Sequence, residues 1–352
     1  MTDPFNRRID YLRVSITDRC NFRCVYCMPE EGFPATPKDE NLTLEEIARL
    51  VRIAVSLGVT KIRLTGGEPL LRKELPDLVR EIRSFEGVRD ISCTTNGFLL
   101  EELACRLSRA GLSRVNVSLD TLRPDRFVEI ARRGSLAKVL AGIEAAFEAG
   151  LEPVKLNCVL MKGVNDDELA EFARLTLERE LHVRFIELMP MRWNLDEGPA
   201  FAPENLNGKL QLKQSAGGML SDAQMRRMFL SMEEARSRIE SELGAMEESY
   251  VPTNGPARTY RVPGSRGSVG FISQITNDFC SRCNRLRLTH DGFLRPCLMS
   301  DGELDLRTPL RAGASDRELA SLFEYVVDHK PERHYLAEGQ KVIGRGMSQI
   351  GG

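Results

Sequence analysis

The sequence predicts an α/β fold: an open barrel of six strand–helix units, (βα)6, followed by a C-terminal extension. Between residues 11 and 187 six strand-like apolar runs recur, and each but the last is followed by a stretch with helical periodicity. Such alternation is typical of a parallel sheet. A closed barrel of eight units typically needs about 250 residues, and the repeating region is shorter. The expected fold is therefore a partial TIM barrel.

The units follow one another with recognisable boundaries. A capping box at Thr43–Glu46 starts the first helix, and glycines close several of the others. The predicted elements are a strand at 11–17, a helix from 43 to 57, a strand at 61–65, a helix at 75–84, a strand at 91–94, a helix at 99–110, a strand at 115–119, helices up to 149, a strand at 153–160, a helix at 166–180 and a strand at 183–187.

Composition limits the function classes. The chain has 352 residues, 42% of them apolar, and a formal net charge of −2. This balance gives no bulk reason to expect nucleic acid or a membrane as partner. The sequence contains no apolar run of membrane-spanning length and no signal-peptide pattern, so a cytoplasmic protein is expected. Nine cysteines, grouped as two triads and three singles, favour metal binding in a reducing compartment; the singles, Cys93, Cys105 and Cys158, are expected to be buried.

The first cysteine triad lies directly after the first strand. Cys20, Cys24 and Cys27 have a C-x3-C-x2-C spacing. Three thiolates on one loop can each hold an iron of a 4Fe–4S cluster, which leaves the fourth iron open to a small molecule. The alternative is a structural zinc site, but zinc usually takes a fourth Cys or His nearby, and no histidine is close in sequence.

Polar residues follow the other strands and predict one lining, because parallel barrels place their chemistry at the C-terminal ends of the strands. Lys155 lies within the fifth strand and is expected to point inward. In a tandem glycine pair the backbone can approach a ligand closely. The alternative is that these stretches are only turns. They are Thr65–Pro69, Thr94–Gly97, Ser118–Asp120 and Met189–Pro190.

The stretch from Asn194 to Pro263 has a different composition. It is rich in Gly, Pro, Asn and Gln up to Gly218, after which Ser221 caps a predicted amphipathic, Met-rich helix that runs to about Leu243. We therefore divide the chain into a barrel at 1–193, a linker or insertion at 194–263 and a C-terminal region at 264–352.

A second triad occupies the C-terminal region. Cys280 and Cys283 are followed by Cys297, and the alternation in residues 284–288 places Arg285 and Arg287 on one side of a strand. Arginine forks match phosphate geometry, so the triad and the arginines together suggest a second open cluster beside a phosphate site. The alternatives are a zinc knuckle closed by His290, and arginines on a solvated surface.

These motifs carry a resemblance. The first triad resembles the signature of the radical S-adenosylmethionine (radical SAM) superfamily, which implies a (βα)6 partial barrel of that type. Residues 18–29, 63–69, 279–287 and 350–352 together resemble the GTP 3′,8-cyclase family, the radical SAM enzymes of the first step of molybdenum cofactor biosynthesis. The resemblance covers nearly the whole chain.

The resemblance implies a site, residue by residue. Two 4Fe–4S clusters are implied: a SAM-cleaving one on Cys20, Cys24 and Cys27, and a second one on Cys280, Cys283 and Cys297 whose open iron meets the guanine. The implied catalytic residues are the first triad with Arg285 and Arg287. The tail from Arg345 to Gly352 matches a flexible tail that reaches the active site. The implied SAM contacts are Tyr26, Gly67, Ser118 and Met189, and the implied GTP contacts are Arg13, Arg63, Thr94, Lys155, Arg285 and Arg287.

The resemblance also implies the reaction. An electron from the reduced first cluster splits SAM, the resulting radical takes the ribose 3′ hydrogen of GTP, and the ribose carbon joins C8 of guanine to give (8S)-3′,8-cyclo-7,8-dihydroguanosine 5′-triphosphate. An external one-electron reductant is implied, as is transfer of the product to cyclic pyranopterin monophosphate synthase, by a monomer or homodimer. The alternatives are a two-cluster radical SAM enzyme that modifies a peptide, and a non-catalytic iron–sulfur or zinc protein.

Overall fold

The computed structural model describes residues 1–34, 36–189, 219–250, 255–277, 279–334 and 345–351. Its N-terminal part contains the six predicted units, so the α/β fold with an open parallel barrel is confirmed. The elements are β1 Tyr11–Ser15, α1 Leu44–Ser56, β2 Lys61–Thr65, α2 Leu75–Ser84, β3 Asp90–Thr95, α3 Leu100–Ala110, β4 Arg114–Ser118, α4 Pro124–Ala131, α5 Leu136–Glu148, β5 Val154–Leu160, α6 Leu169–Glu178 and β6 Leu181–Glu187.

Local sequence explains the boundaries of these units. Thr43 and Glu46 form the predicted capping box at the start of α1, because each side chain bonds to the other's backbone N–H. Gly111 ends α3 with φ near 101°, which a side chain would oppose. Pro124 begins α4, where its missing N–H costs nothing. The predicted element ends therefore lie within a few residues of the observed ones.

The barrel strands have an apolar outer face and a polar inner face. In β1, Leu12 and Val14 are fully buried against the surrounding helices, whereas Tyr11 and Arg13 line the interior cavity. Because side chains alternate along a strand, every polar residue at these inner positions points toward the barrel axis. The fold thus gathers polar groups from all six strands into one interior.

The remaining elements extend this sheet at both edges. They are α7 Asp222–Arg227, α8 Met232–Leu243, β7 Glu247–Ser249, β8 Arg258–Arg261, β9 Ser268–Ile272, β10 Arg285–Leu288, β11 Phe293–Arg295, β12 Leu304–Asp305, α9 Arg307–Arg311 and α10 Asp316–Asp328. In the described part of the chain the twelve strands form one sheet in the order β12-β11-β10-β1-β2-β3-β4-β5-β6-β9-β8-β7. Strand β10 is parallel to β1, which places Arg287 beside Arg13.

Two expectations from the sequence are wrong. The helix predicted from Ser221 to about Leu243 is two helices, α7 and α8, because Met228 and Leu230 turn into the core and Ser231 caps a new helix by accepting a bond from the Glu234 N–H. Cys105 is exposed, whereas Cys93 and Cys158 are buried as expected. It lies one position beyond the buried stripe of α3, next to Ala104.

The division at residues 194 and 264 stays a prediction. Residues 190–218 and 251–254 lie outside the described part, and the sheet runs through the second boundary, since β8 pairs with β9. No helix of the described residues combines the length and the apolar character that crossing a bilayer requires.

Candidate active site between two cysteine triads

The first triad lies on a loop that the barrel holds tightly. Cys20, Cys24 and Cys27 line one cavity at the C-terminal ends of the strands. The loop is fixed to the end of α4 by the Arg23 N–H, which donates to the Ala131 carbonyl at 3.0 Å, and by a second bond from the Val25 N–H. Three thiols on one fixed loop face one space, as a cluster with an open iron requires.

The electrostatics of these thiols fits a metal group. Burial raises the pKa of Cys20 to about 11, and the nearby Glu68 carboxylate adds to this shift. Burial and the neighbouring Cys20 raise the pKa of Cys27 to about 12. Burial also raises the pKa of Cys24. Buried thiols in such surroundings lose their protons only when a metal compensates the charge. The donor set therefore fits a 4Fe–4S cluster.

The glycine pair after β2 supports this loop. A Cβ on Gly67 would lie 2.1 Å from the Arg19 carbonyl oxygen, and the Gly67 N–H donates to the Thr17 carbonyl at 2.7 Å. The glycines are therefore needed for close contact with the segment just before Cys20, a reason that the sequence did not indicate. The ligand approach expected of them stays a prediction.

Glu68 extends this support to the triad. Its buried carboxylate accepts hydrogen bonds from the Thr95 hydroxyl at 2.7 Å and from the Asn96 N–H at 2.6 Å. The Asn96 amide in turn donates to Asn21 at 2.8 Å and lies 3.9 Å from the Cys20 sulfur. Burial raises the pKa of Glu68 to about 7. A chain of hydrogen bonds thus connects the β2 and β3 ends with the cysteine loop.

The four residues expected to contact SAM line the same cavity. They are Tyr26, Gly67, Ser118 and Met189. The Tyr26 hydroxyl donates to the Asp120 carboxylate at 2.7 Å, which also accepts from the Val159 N–H at 2.8 Å. Burial raises the pKa of Asp120 to about 6. Geometry thus brings these residues together; their contact with SAM stays a prediction.

A group of arginines lines the same cavity. Among the described residues, five arginines line the cavity: Arg13, Arg63, Arg184, Arg285 and Arg287. Burial, with repulsion from Arg285, lowers the pKa of Arg287 to about 9, and burial with repulsion from Arg63 does the same for Arg184. The Arg285 Nε is buried and has no partner among the described atoms. Buried guanidinium groups that repel one another need an anionic ligand.

Of two further predicted GTP contacts, Thr94 lies on the cavity lining and Lys155 does not. Thr94 lines the cavity, and its hydroxyl is buried without a partner in the described part. Lys155 is fully buried below the cavity rather than on its lining. Burial, with repulsion from Arg184, lowers the pKa of Lys155 to about 5. Its inward direction was expected, and it adds to the same basic interior.

The second triad is next to two of these arginines in sequence. Cys280 and Cys283 form a short 3-10 turn before β10, and Cys297 follows β11. None of the three is on the cavity lining, whereas Arg285 and Arg287 are. Burial tends to raise the pKa of Cys283, but the positive charges of Lys330 and Arg285 bring it below its usual range. This triad therefore has a basic environment.

His290 is already engaged, so the structure does not favour the zinc alternative. Its Nε2 lies 3.1 Å from the Thr36 hydroxyl and its Nδ1 lies 3.4 Å from the Gln349 carbonyl. Both ring nitrogens therefore have protein partners. In the described ranges no three His, Cys, Asp or Glu side chains converge as a site for a single metal ion requires.

The C-terminal tail crosses the cavity. Gly351 places its carbonyl oxygen 2.9 Å from Arg13 and 2.7 Å from Arg287. Met347 and Ser348 line the cavity, and Ile350 packs with Met299 in a small cluster that also contains Cys297 and Met189. The tail thus contacts residues on both sides of the site. Gly352 lies outside the described residues.

Two residues of the cavity wall, and the supporting role of a third residue that was expected on the lining, were not predicted from the sequence. Arg184 and Tyr11 lie on the cavity wall, and Glu68 fixes the cysteine loop. Arg184 and Tyr11 occupy inward positions of β6 and β1, so strand alternation is the signal that finds them. Glu68 is part of the Gly-Gly-Glu-Pro stretch, but its partners become neighbours only when the barrel closes.

Comparison with known proteins gives the relatives of this chain. Residues 14–176 match the radical SAM superfamily, and residues 218–336 match the family described as Molybdenum Cofactor Synthesis C. GTP 3′,8-cyclase of Moorella thermoacetica is 49% identical over 352 residues, and that of Heliobacterium modesticaldum is 49% identical over 354 residues; each comparison covers 100% of both chains.

Solved structures share the fold at low sequence identity. The crystal structure of Streptococcus suis SuiB bound to S-adenosylmethionine has a TM-score of 0.55 at 14% identity and covers 90% of this chain and 68% of that chain. SuiB bound to the precursor peptide SuiA has a TM-score of 0.57 at 13% identity and covers 98% and 76%. This likeness concerns the fold alone.

Proposed function

The chain belongs to the GTP 3′,8-cyclase family of the radical SAM superfamily, and we propose that its cavity holds GTP between the two cysteine triads. As a member of that family it is a radical SAM lyase that uses SAM, an iron–sulfur cluster, GTP and a reductant in the first step of molybdenum cofactor biosynthesis. The observation that carries the placement of GTP is that five arginines and the three cysteines of the first triad line one cavity.

Cys20, Cys24 and Cys27 are the residues that hold the SAM-cleaving 4Fe–4S cluster. When bound and reduced, this group supplies the electron for the reductive cleavage of SAM. The chain contributes position and charge. The carboxylates of Asp120 and Glu68 lie on this side of the cavity and suit a ligand that carries a sulfonium cation, and Tyr26, Gly67, Ser118 and Met189 surround the same space.

The arginines orient GTP. Arg13, Arg63, Arg285 and Arg287 present guanidinium forks to the triphosphate, with Arg184 and Lys155 deeper in the barrel and Thr94 on the rim. Each of these groups is held by a parallel strand, so the substrate binds a preformed surface. When the arginines hold the phosphates, the ribose and the base must occupy the rest of the cavity. The first triad lines that space, so the ribose lies close to it. Proximity then favours transfer of the 3′ hydrogen and closure to C8.

Cys280, Cys283 and Cys297 hold a second 4Fe–4S cluster in this proposal. The support is a triad with no fourth cysteine beside it in sequence, next to two arginines that line the GTP cavity. Held by three protein ligands, the cluster would have room for a ligand from the substrate, and the guanine base is the part of GTP that remains after the triphosphate has been placed. Arg285 and Arg287 therefore connect the second triad with the substrate.

The product and the partners follow from this assignment. The product is (8S)-3′,8-cyclo-7,8-dihydroguanosine 5′-triphosphate, which passes to cyclic pyranopterin monophosphate synthase, and a protein or small-molecule donor supplies one electron. A monomer or homodimer and a cytoplasmic location stay predictions from the sequence.

Reconstitution tests the proposed reaction. The chain is loaded anaerobically with iron and sulfide and then incubated with SAM, dithionite and GTP. We expect about eight irons per chain, GTP-dependent 5′-deoxyadenosine, and a nucleotide product with the mass of GTP but a new retention time. Deoxyadenosine with unchanged GTP would overturn the cyclase assignment and favour the peptide-modifying alternative. A chain that loads zinc and no iron would favour the non-catalytic one.

A further inference from the structure

Lys330 is a buried lysine next to the second triad. It follows α10, and only 3% of it is exposed. Its ammonium group donates to the Arg285 carbonyl at 3.0 Å and to the Pro296 carbonyl. Arg285 is two residues after Cys283, and Pro296 directly precedes Cys297. One side chain thus connects the two segments that carry the triad.

Arg7 connects Cys280, in the same segment as Cys283, with the residues that follow Lys330. Its guanidinium donates to the Cys280 carbonyl at 2.8 Å, and to the Glu332 and Pro331 carbonyls at 2.7 Å each. Asp3 accepts from its Nε at 2.6 Å, so the charge of Arg7 has a carboxylate partner. The segment 330–332 therefore holds all three cysteines, through Lys330 directly and through Arg7 at Cys280.

The positive charge of Lys330 is compensated differently from that of Arg7. Among the described residues its hydrogen-bond partners are two backbone carbonyls, and no carboxylate lies within ion-pair distance. An ammonium group that is out of water costs several kcal/mol unless an anion compensates it. The thiolates of Cys283 and Cys297 are the anions that these segments supply.

We propose that Lys330 is a positioning residue for the second cluster: it holds the Cys283 and Cys297 segments together, and its charge raises the cluster's reduction potential. This inference rests on the second cluster of the proposed function. A positive charge beside a cluster stabilises the reduced form, which carries one more negative charge, so its loss lowers the midpoint potential. Mutation of a residue that supports metal ligands typically lowers metal affinity or activity about 10-fold to 100-fold.

The test isolates the second cluster. Cys20, Cys24 and Cys27 are replaced together by alanine in the full chain, so that all iron belongs to the C-terminal triad. Lys330→Met and Lys330→Gln are then made in this background. Midpoint potentials are measured by redox titration with EPR detection, and iron release to a chelator is followed by absorbance. We expect a more negative potential in both variants and iron release roughly 10-fold to 100-fold faster.

Lys138→Met is the matched control, because Lys138 is exposed on α5 and packs over the Phe98 ring. It should leave potential and iron release unchanged. A purely mechanical role for Lys330 would speed iron release but leave the potential of the loaded cluster unchanged, and this result would overturn the electrostatic part of the inference. A wild-type potential and release rate in either neutral variant would overturn all of it.

The outcomes separate the two proposals. If the alanine background binds no iron, the second cluster itself is wrong and the inference falls with it. If the background binds about four irons and the Lys330 variants match it, the second cluster stands and only the inference fails. If neither variant loads a second cluster, each is made in the otherwise native chain. Retained SAM cleavage there shows that the barrel is folded and attributes the loss of the second cluster to the loss of Lys330.

Discussion

The two cysteine triads are held in place in different ways. The first takes its three thiols from eight consecutive residues, on a loop that α4 and the β2 and β3 ends hold in place. The second takes them from two segments. Lys330 bonds to both of these segments, and Arg7, 273 positions before Cys280, bonds to the first of them. A compact motif therefore specifies the first triad locally, whereas the second depends on tertiary contacts.

The two triads also differ in charge. Glu68 and Asp120 lie near the first triad, whose thiol pKa values are raised, first by burial. Lys330 and Arg285 lie near the second and outweigh burial at Cys283. The part of the cavity near Glu68 and Asp120 thus suits a cationic ligand, and the part that the arginines line, its basic end, suits an anionic one. The charges of SAM and GTP agree with the positions proposed for them.

Removing one cysteine from each triad gives the largest effect. Cys24→Ala should abolish SAM cleavage, with deoxyadenosine falling at least about 1000-fold, because the two remaining cysteines would not hold the cluster that supplies the electron. Cys283→Ala should keep SAM cleavage but abolish the cyclised product. Iron analysis should find about half of the wild-type iron in each variant. Deoxyadenosine production by the Cys24 variant at the wild-type rate would contradict the division of labour between the triads.

Arg285→Gln tests the basic end of the cavity. The loss of charge-assisted hydrogen bonds worth about 1.5–3 kcal/mol should weaken GTP binding roughly 10-fold to 100-fold. SAM cleavage without GTP should persist, because Arg285 is not among the residues that hold the loop of the first triad. The matched control is Arg282→Gln, since Arg282 is an exposed arginine three residues earlier. Equal GTP affinity in both variants, measured by equilibrium dialysis, would show that Arg285 is only a surface charge.

The difference between the triads also explains what the sequence could predict. The barrel units, the first triad and the inward pair Arg285 and Arg287 follow from periodicity and spacing, which are local signals. Lys330 and Arg7 have no local signal, because their partners are backbone carbonyls in distant segments. Helix α8 was missed for another reason: the cap at Ser231 lies inside a stretch whose apolar pattern continues across the break. Contacts between distant segments and overlapping local signals thus limit what can be predicted from the sequence.

The C-terminal tail connects the two triads, and Arg345 anchors it. Its guanidinium bonds to Asp291 at 2.9 Å and 3.0 Å and to Glu303 at 2.9 Å. Arg345→Gln should release the tail, admit water to the cavity and lower cyclised product per deoxyadenosine roughly threefold to tenfold, as expected for a loss of about 1 kcal/mol. SAM cleavage itself should change little.

Exposed Arg317 offers the control for this tail experiment. Arg317→Gln should couple SAM cleavage to cyclisation as the wild type does. High salt should imitate the Arg345 variant in the wild type, because ion pairs that are partly exposed are screened. A ratio of product to deoxyadenosine that is unaffected by both the substitution and salt would mean that the tail stays in place without its anchor.

The smallest expected effect is the number of protons that the protein takes up when GTP binds. This number reports how strongly a bound anion changes the protonation of the basic end of the cavity. Burial and repulsion from Arg184 hold the pKa of Lys155 near 5, so in the free chain this amine is neutral at pH 8. A bound triphosphate favours the charged form and raises the pKa, so GTP binding should take up about one proton. Calorimetry at pH 8 in two buffers with different ionisation enthalpies gives this number.

Lys155→Met should reduce the uptake and Lys138→Met should not, because Lys138 lies on the outer face of α5. Binding without proton uptake would mean that Lys155 lies beyond the influence of the triphosphate, and that the arginines alone form the basic end which distinguishes the second triad from the first.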